Sequence, residues 1–209
     1  VVVAANLSEV LKTLEYSKDL QNVSMAMLPI IEKKDGQINE PYLNQLVNLV
    51  ISFRNQQLTD SAMKRQQQVV KVSEQLYGET AGPYATMLDM LADLHRIKSE
   101  FDIAEKTLLK SRNIRTKLPT PDDYGLAAHY HIMANLYGDM ARFNLSDRYY
   151  DSSLVLLMQA GLQDDEMYTT VLRSKAYTDV TAGRLMPAKK TLAQLLGIYE
   201  TKFGKEYLG

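Results

Sequence analysis

Leu91-Ala92-Asp93-Leu94 reappears as Met133-Ala134-Asn135-Leu136, and the same 42-residue step taken from Ala134 lands on Ala176. That step also carries Gly36, Glu40, Pro41 and Tyr42 onto Gly78, Gly82, Pro83 and Tyr84, and Gly204 lies three periods past Gly78. Phe101, Phe143 and Leu185 form a third series, and Ala62, Ala104, Ser146 and Ala188 a fourth. Five periods account for the 209 residues of the chain to within one position. A fixed period of this length predicts a solenoid, in which each unit buries its apolar face only on its neighbours.

Within a unit the apolar residues recur every three to four positions. Leu88, Leu91, Ala92 and His95 make one stripe, and Phe101, Ala104, Leu108, Ser111 and Ile114 another. Both are helical faces. The polar break between them, Lys98-Ser99-Glu100, is short, so the two helices are antiparallel neighbours. The spacing predicts first helices over 4–16, 41–55, 82–98, 123–140 and 164–182. It predicts second helices over 18–33, 58–76, 101–117, 143–160 and 185–203. The expectation is one array over residues 1–209, with units at about 1–40, 41–82, 83–122, 123–163 and 164–209. The first unit is the weakest, and Pro29 is expected to kink its second helix or end it early.

The helix ends carry their own signals. Pro41 and Pro83 suit a first turn, and Gly36 and Gly78 suit a left-handed C-cap. Asp60, Asp102 and Asn144 stand where a short polar side chain can cap a second helix. The pairs Asp122-Asp123 and Asp164-Asp165 fall at helix starts, where acids favour the dipole. Ala92, Ala134 and Ala176 lie where the helices of a unit cross, opposite Ala62, Ala104, Ser146 and Ala188, so backbones can approach closely. Leu91, Leu94, Leu108, Tyr137, Phe143 and Tyr150 fill the space beside them.

Two antiparallel helices, the Leu-Ala-x-Leu-(Tyr/His) stretch, the aromatic at the turn and the small residue three later resemble tetratricopeptide repeats. The usual period of that family is shorter, about 34 residues. The 42-residue period, and Tyr77-Gly78-Glu79 through Pro83-Tyr84, are similar to the kinesin light chain type. The resemblance runs in register over the whole chain, strongly over 41–205 and weakly over 1–40. Val50 stands where Ala is expected, and the fourth unit has Thr120-Pro121 in place of the linker Gly and Pro. The resemblance implies an all-α solenoid of about five antiparallel helix pairs in a right-handed superhelix. It also implies a concave groove lined by first helices that holds a peptide or a partner's helix.

Composition narrows the function. A balance of 24 basic and 25 acidic residues gives no general attraction to nucleic acid or to an anionic membrane. No apolar run is long enough for a membrane span. Without cysteine there is no disulfide or thiolate metal site, and the compartment stays open. His129 and His131 are two apart on a helix and point to different sides. His95 occupies a slot that its sister units fill with Phe53 and Tyr137, so it reads as a packing histidine. Asp89 and Asp93 share a face, but their repeat-equivalents are His131 and Asn135, then Arg173 and Tyr177. That mixture suits a polar peptide better than a cation. No catalytic, cofactor or metal site is expected.

The candidate binding stripe is the side of the first helices opposite Leu88, Leu91 and Ala92. It comprises Asn48 and Arg54 in the second unit, and Asp89, Asp93 and Arg96 in the third. His131 and Asn135 follow in the fourth, and Arg173 and Tyr177 in the fifth. Asn135 stands out, because the family often places Asn there to hold a peptide backbone. The acids at 89 and 93 argue against the variant that clamps a carboxylate tail. The expected function is a non-enzymatic scaffold for a protein or peptide partner, the alternative a regulatory or sensor segment of a larger enzyme or signalling protein. Leu192, Leu195, Leu196, Tyr199 and Phe203 present more apolar surface than a polar end-cap would. The last helix is therefore expected to meet a further helix, another domain or a second copy.

Overall fold

The computed structural model describes residues 16–204. Among them there are nine α-helices and no strand. They are α1 (Ser17–Asp35), α2 (Glu40–Asn55), α3 (Thr59–Tyr77), α4 (Gly82–Ile97) and α5 (Phe101–Arg115). Then come α6 (Asp123–Asp139), α7 (Phe143–Gln159), α8 (Glu166–Thr181) and α9 (Leu185–Phe203). The expected helix over 4–16 lies outside the described residues. The chain divides into two compact units, one up to Pro119 and one from Thr120. In the first, each of α1 to α5 packs on the next. In the second, α6 to α9 do the same, and α6 also meets α8.

The turns inside the helix pairs repeat atom for atom. Gln57, Ser99, Ala141 and Gly183 recur at the 42-residue step, and all have φ between 57° and 72°. The next N–H in each case reaches back five residues: Leu58 to Phe53 O, Glu100 to His95 O, Arg142 to Tyr137 O and Arg184 to Asp179 O, at 2.8–2.9 Å. This is the Schellman closure of a helix end. The two side chains it brings together carry different chemistry in each repeat. Phe53 and Leu58 are apolar. His95 Nδ1 lies 2.5 Å from Glu100 Oε2. The Arg142 guanidinium sits over the Tyr137 ring at 6.0 Å. Arg184 pairs with Asp179 at 2.6 Å. His95 is thus a satisfied turn residue, as its slot implied.

The same turns overturn one expectation about caps. Asp60, Asp102 and Asn144 lie one residue inside α3, α5 and α7, whose cap positions are Leu58, Glu100 and Arg142 with no side-chain cap bond. The left-handed residue already sets the entry angle there, so the acids serve in the first turn instead. Asp60 takes Lys98 Nζ at 2.8 Å. Side-chain caps belong to first helices. Asn39 accepts from Tyr42 N, Asp122 from Gly125 N and Asp165 from Met167 N, at 2.8–2.9 Å. Pro41 and Pro83 sit in the first turns of α2 and α4. Gly36 and Gly78 do end α1 and α3 with positive φ, but with ψ of −168° and 159° rather than the left-handed value. That region is nearly exclusive to glycine, and it throws the chain forward into the linker. Gly204 repeats it, with φ 82° and ψ 153°.

The small residues are where the period placed them. Ala62, Ala92, Ala104, Ala134, Ala176 and Ala188 are 0–2% exposed. The two repeat departures are accommodated. Val50 is buried, and Ser146 donates its hydroxyl to Ala134 O at 2.8 Å, so the extra polar atom is satisfied. Serines also tie second helices to first helices at equivalent places: Ser111 donates to Ala85 O at 3.0 Å and Ser153 to Ala127 O at 2.8 Å.

Pro29 does not end its helix early, because α1 runs on to Asp35. Pro29 and Met25, whose carbonyl loses its helical donor, both lie on the exposed side, where water can replace the missing bond. In α9, Leu195 is buried and Tyr199 half-buried against the core of the second unit. Leu192, Leu196 and Phe203 remain 48–52% exposed.

Candidate partner-binding surface

In the first unit the acidic positions are not open to solvent. Asp89 is 3% exposed, and its Oδ2 accepts from Arg115 Nε at 3.2 Å and Arg115 NH2 at 2.9 Å. The same guanidinium also reaches Thr86 Oγ1 at 2.9 Å. Asp89 therefore joins α4 to α5 and does not line a groove. Residue 89 is one step round the helix from Leu88 and one turn from Ala85 and Ala92. A first helix flanked by neighbours on both sides buries more of its circumference than one stripe. Asp93 is 8% exposed and held by two arginines, Arg54 NH1 at 3.2 Å and Arg96 Nε at 2.9 Å. Arg54 comes from α2, so this cluster spans two first helices. Asn48 is half-buried, while Arg54 keeps nearly half of its side chain in water.

In the second unit the expected residues do meet. Asn135 Nδ2 donates to His131 Nε2 at 3.3 Å, and Ser174 Oγ of α8 lies 2.9 Å from the same nitrogen. Tyr150 OH donates to Asn135 Oδ1 at 2.7 Å and stands 3.0 Å from Thr178 Oγ1. A chain of hydrogen bonds thus runs from the buried tyrosine of α7 to the half-buried His131. Beside it, Arg173 and Tyr177 project from α8, with Tyr177 70% exposed. His129, two positions from His131, is fully buried.

Tyr150, Ser174 and Thr178 are the members that sequence reasoning passed over. A signal for two of them existed. Tyr150 takes the slot of Leu108, and Thr178 that of Leu94 and Leu136. Two apolar slots turn polar at neighbouring places, and buried hydroxyls need partners. Gly138 belongs with them, because a Cβ there would come within 3.1 Å of Thr178 and 3.4 Å of Ser146.

An ionic cluster closes the far end of this unit. Asp147 of α7 takes Arg184 at 2.6 and 3.0 Å and Lys175 at 3.3 Å. Burial pushes the Asp147 carboxyl up, but the bonds and charges of Arg184 and Lys175 outweigh it and hold the group below its ordinary value. For Asp179 burial wins over Arg184 and Lys175, and the group is raised. The two then act oppositely on stability. The Asp147 contribution is complete above the unfolded carboxylate value and is lost as pH falls through its lower folded value. Asp179 takes up its proton first in the folded chain, so acidification relieves its cost. Melting followed by circular dichroism from about pH 6 to about pH 3 should show a shallower fall in Tm for Asp147→Asn than for the parent. Asp179→Asn should show a steeper one.

No family model matches the chain, and no curated protein matches it in sequence. Solved structures do match in fold. One crystal structure of the Podosopora anserina kinesin light chain nearly identical TPR-like repeats superposes with a TM-score of 0.68 at 12% identity, over 96% of this chain and 94% of that one. A second crystal structure of those repeats gives 0.65, again at 12% identity, over 96% and 95%. BtubC (BKLC) from P. vanneervenii gives 0.67 at 14% identity, over 96% of this chain and 80% of its own. With the 42-residue backbone repeat and the buried alanine crossings, these likenesses identify the fold: the chain is an all-α solenoid of tetratricopeptide-like repeats.

Proposed function

We propose that the protein is a non-enzymatic scaffold whose first helices bind a peptide or a segment of a protein partner. The observation that carries this reading is the α6–α8 face. It offers an ordered set of hydrogen-bonding groups (His131, Asn135, Ser174) on a rigid helix pair, with a largely exposed aromatic, Tyr177, and a cation, Arg173, beside them. Rigid polar groups next to an exposed aromatic anchor are what a bound peptide segment uses. The Arg54–Asp93–Arg96 cluster gives the first unit a polar face of its own, in which Arg54 is the member open to a ligand.

Peptides selected on the folded chain from a random display library test this. Tyr177→Ala should weaken a selected peptide by about tenfold or more, the loss expected of an aromatic anchor. Its melting temperature should stay within about a degree or two of the parent, because an exposed side chain contributes little to stability. Arg173→Ala should weaken acidic peptides in particular. Asp93→Ala is the wrong probe, since it leaves Arg54 and Arg96 facing each other without their anion. If selected peptides bind equally well to Tyr177→Ala, Arg173→Ala and Asn135→Ala, the face is not the site.

A further inference from the structure

The outer face of α9 is built to pair with itself. Seen along the helix, Met186, Lys189, Ala193, Leu196, Gly197, Glu200 and Phe203 fall on one side. Ala188, Thr191 and Leu195, on the opposite side, are buried in the second unit. The outer side includes Met186 at 76% exposed, Leu196 at 48% and Phe203 at 52%. Its neighbour Leu192, 48% exposed, occupies the repeat slot of Tyr150, which is 1% exposed beneath α8. Leu196 likewise occupies the slot of Leu154, which packs into the core of this unit. The α9 face therefore continues an interface that the repeat covers one period earlier.

What covers it is indicated by the order of the residues. Positions at equal distances from a point between Gln194 and Leu195 are complementary. Met186 matches Phe203, a sulfur with a ring. Lys189 matches Glu200, a cation with an anion. Ala193 matches Leu196, and Leu192 matches Gly197, a large side chain with a small one in each case. A Cβ at Gly197 would meet nothing within 4 Å, so that notch is open. Neither Lys189 nor Glu200 has an ion-pair partner among the described residues.

We propose that a second copy of this chain covers the face, with the two α9 helices antiparallel across a two-fold axis at the middle of the helix. In that arrangement Lys189 of each copy meets Glu200 of the other twice over, and each leucine enters the other copy's small-residue notch. Self-complementarity of one patch is the requirement of an isologous dimer.

Sedimentation equilibrium of the whole chain over about 1–100 µM tests the proposal, a range in which a modest interface is populated. The expected result is a dimer that Leu196→Asp converts to monomer with an unchanged circular dichroism spectrum. Lys189→Glu and Glu200→Lys should each weaken the dimer about tenfold or more at low salt, because each places like charges opposite one another. The double variant Lys189→Glu with Glu200→Lys should return to within about threefold of the parent, since the pair is restored with its signs exchanged. A chain that stays monomeric throughout would overturn the pairing and leave the face to a different protein. A dimer indifferent to Leu196→Asp, or a double variant no tighter than the singles, would overturn it equally.

Discussion

Asp89→Ala is expected to lower the free energy of unfolding by about 3–5 kcal/mol, the usual cost of stranding one member of a buried ion pair. Arg115 would be left with a side chain 2% exposed and no anion on the atoms that now hold Asp89 Oδ2. Thr86 would still take one of its donors. The control is to remove both charges. Asp89→Leu combined with Arg115→Met should be far milder than either single change, because a buried pair and an apolar pair of similar volume often differ little. Urea denaturation followed at the helical band gives both numbers. A loss below about 1 kcal/mol for Asp89→Ala, the range of a surface pair, would mean that water reaches Arg115 and that the pair is not structural.

Ala134→Leu should cost about 1–3 kcal/mol by overpacking. Ala134 is 0% exposed, and its carbonyl takes the Ser146 hydroxyl at 2.8 Å, so α7 lies directly against this turn of α6. A leucine can enter only by pushing α7 away, which also breaks that hydrogen bond. Thr181→Leu, on the exposed end of α8, adds comparable apolar bulk and should stay within about 0.5 kcal/mol. Equal denaturation midpoints for the two variants would show that the crossing has room to spare.

The fold was legible because the period acts on every turn at once. One misread residue shifts nothing when the same slot is seen again one period later. The expected helix over 41–55 is found at Glu40–Asn55, and the one over 185–203 at Leu185–Phe203. Ends were less secure where a side chain decides them. The helix expected from 164 starts at Glu166 because Asp165 caps it. The caps expected at Asp60, Asp102 and Asn144 failed because a polar residue at a helix start does not reveal that the preceding turn is left-handed. Ser99 and Ala141 give no compositional sign of positive φ, and only Gly183 in that series does.

The candidate surface was legible by position and illegible by depth. Counting by the repeat period aligned Asp93 with Asn135 and Tyr177, and the three do occupy corresponding places on their helices. Nothing in the count says that Arg115, on the other helix of the pair, reaches Asp89 and draws it into the core. Long side chains carry charge across helix boundaries, and a helical wheel treats each helix alone. The Tyr150–Asn135–His131–Ser174 chain shows the same limit, since its members come from three helices.

The serine bonds from second helices to first helices bear on how freely such a protein can be retargeted. Ser111 and Ser153 donate to the main-chain oxygens of Ala85 and Ala127. A bond to the peptide backbone is indifferent to the side chain that the residue carries. Each clasp therefore leaves the identities of residues elsewhere on the first helix unconstrained. A library that varies His131, Arg173, Ser174 and Tyr177 together would change the chemistry of one surface while these fastenings stay as they are. The repeat separates the part of the molecule that must be kept from the part that can be rewritten.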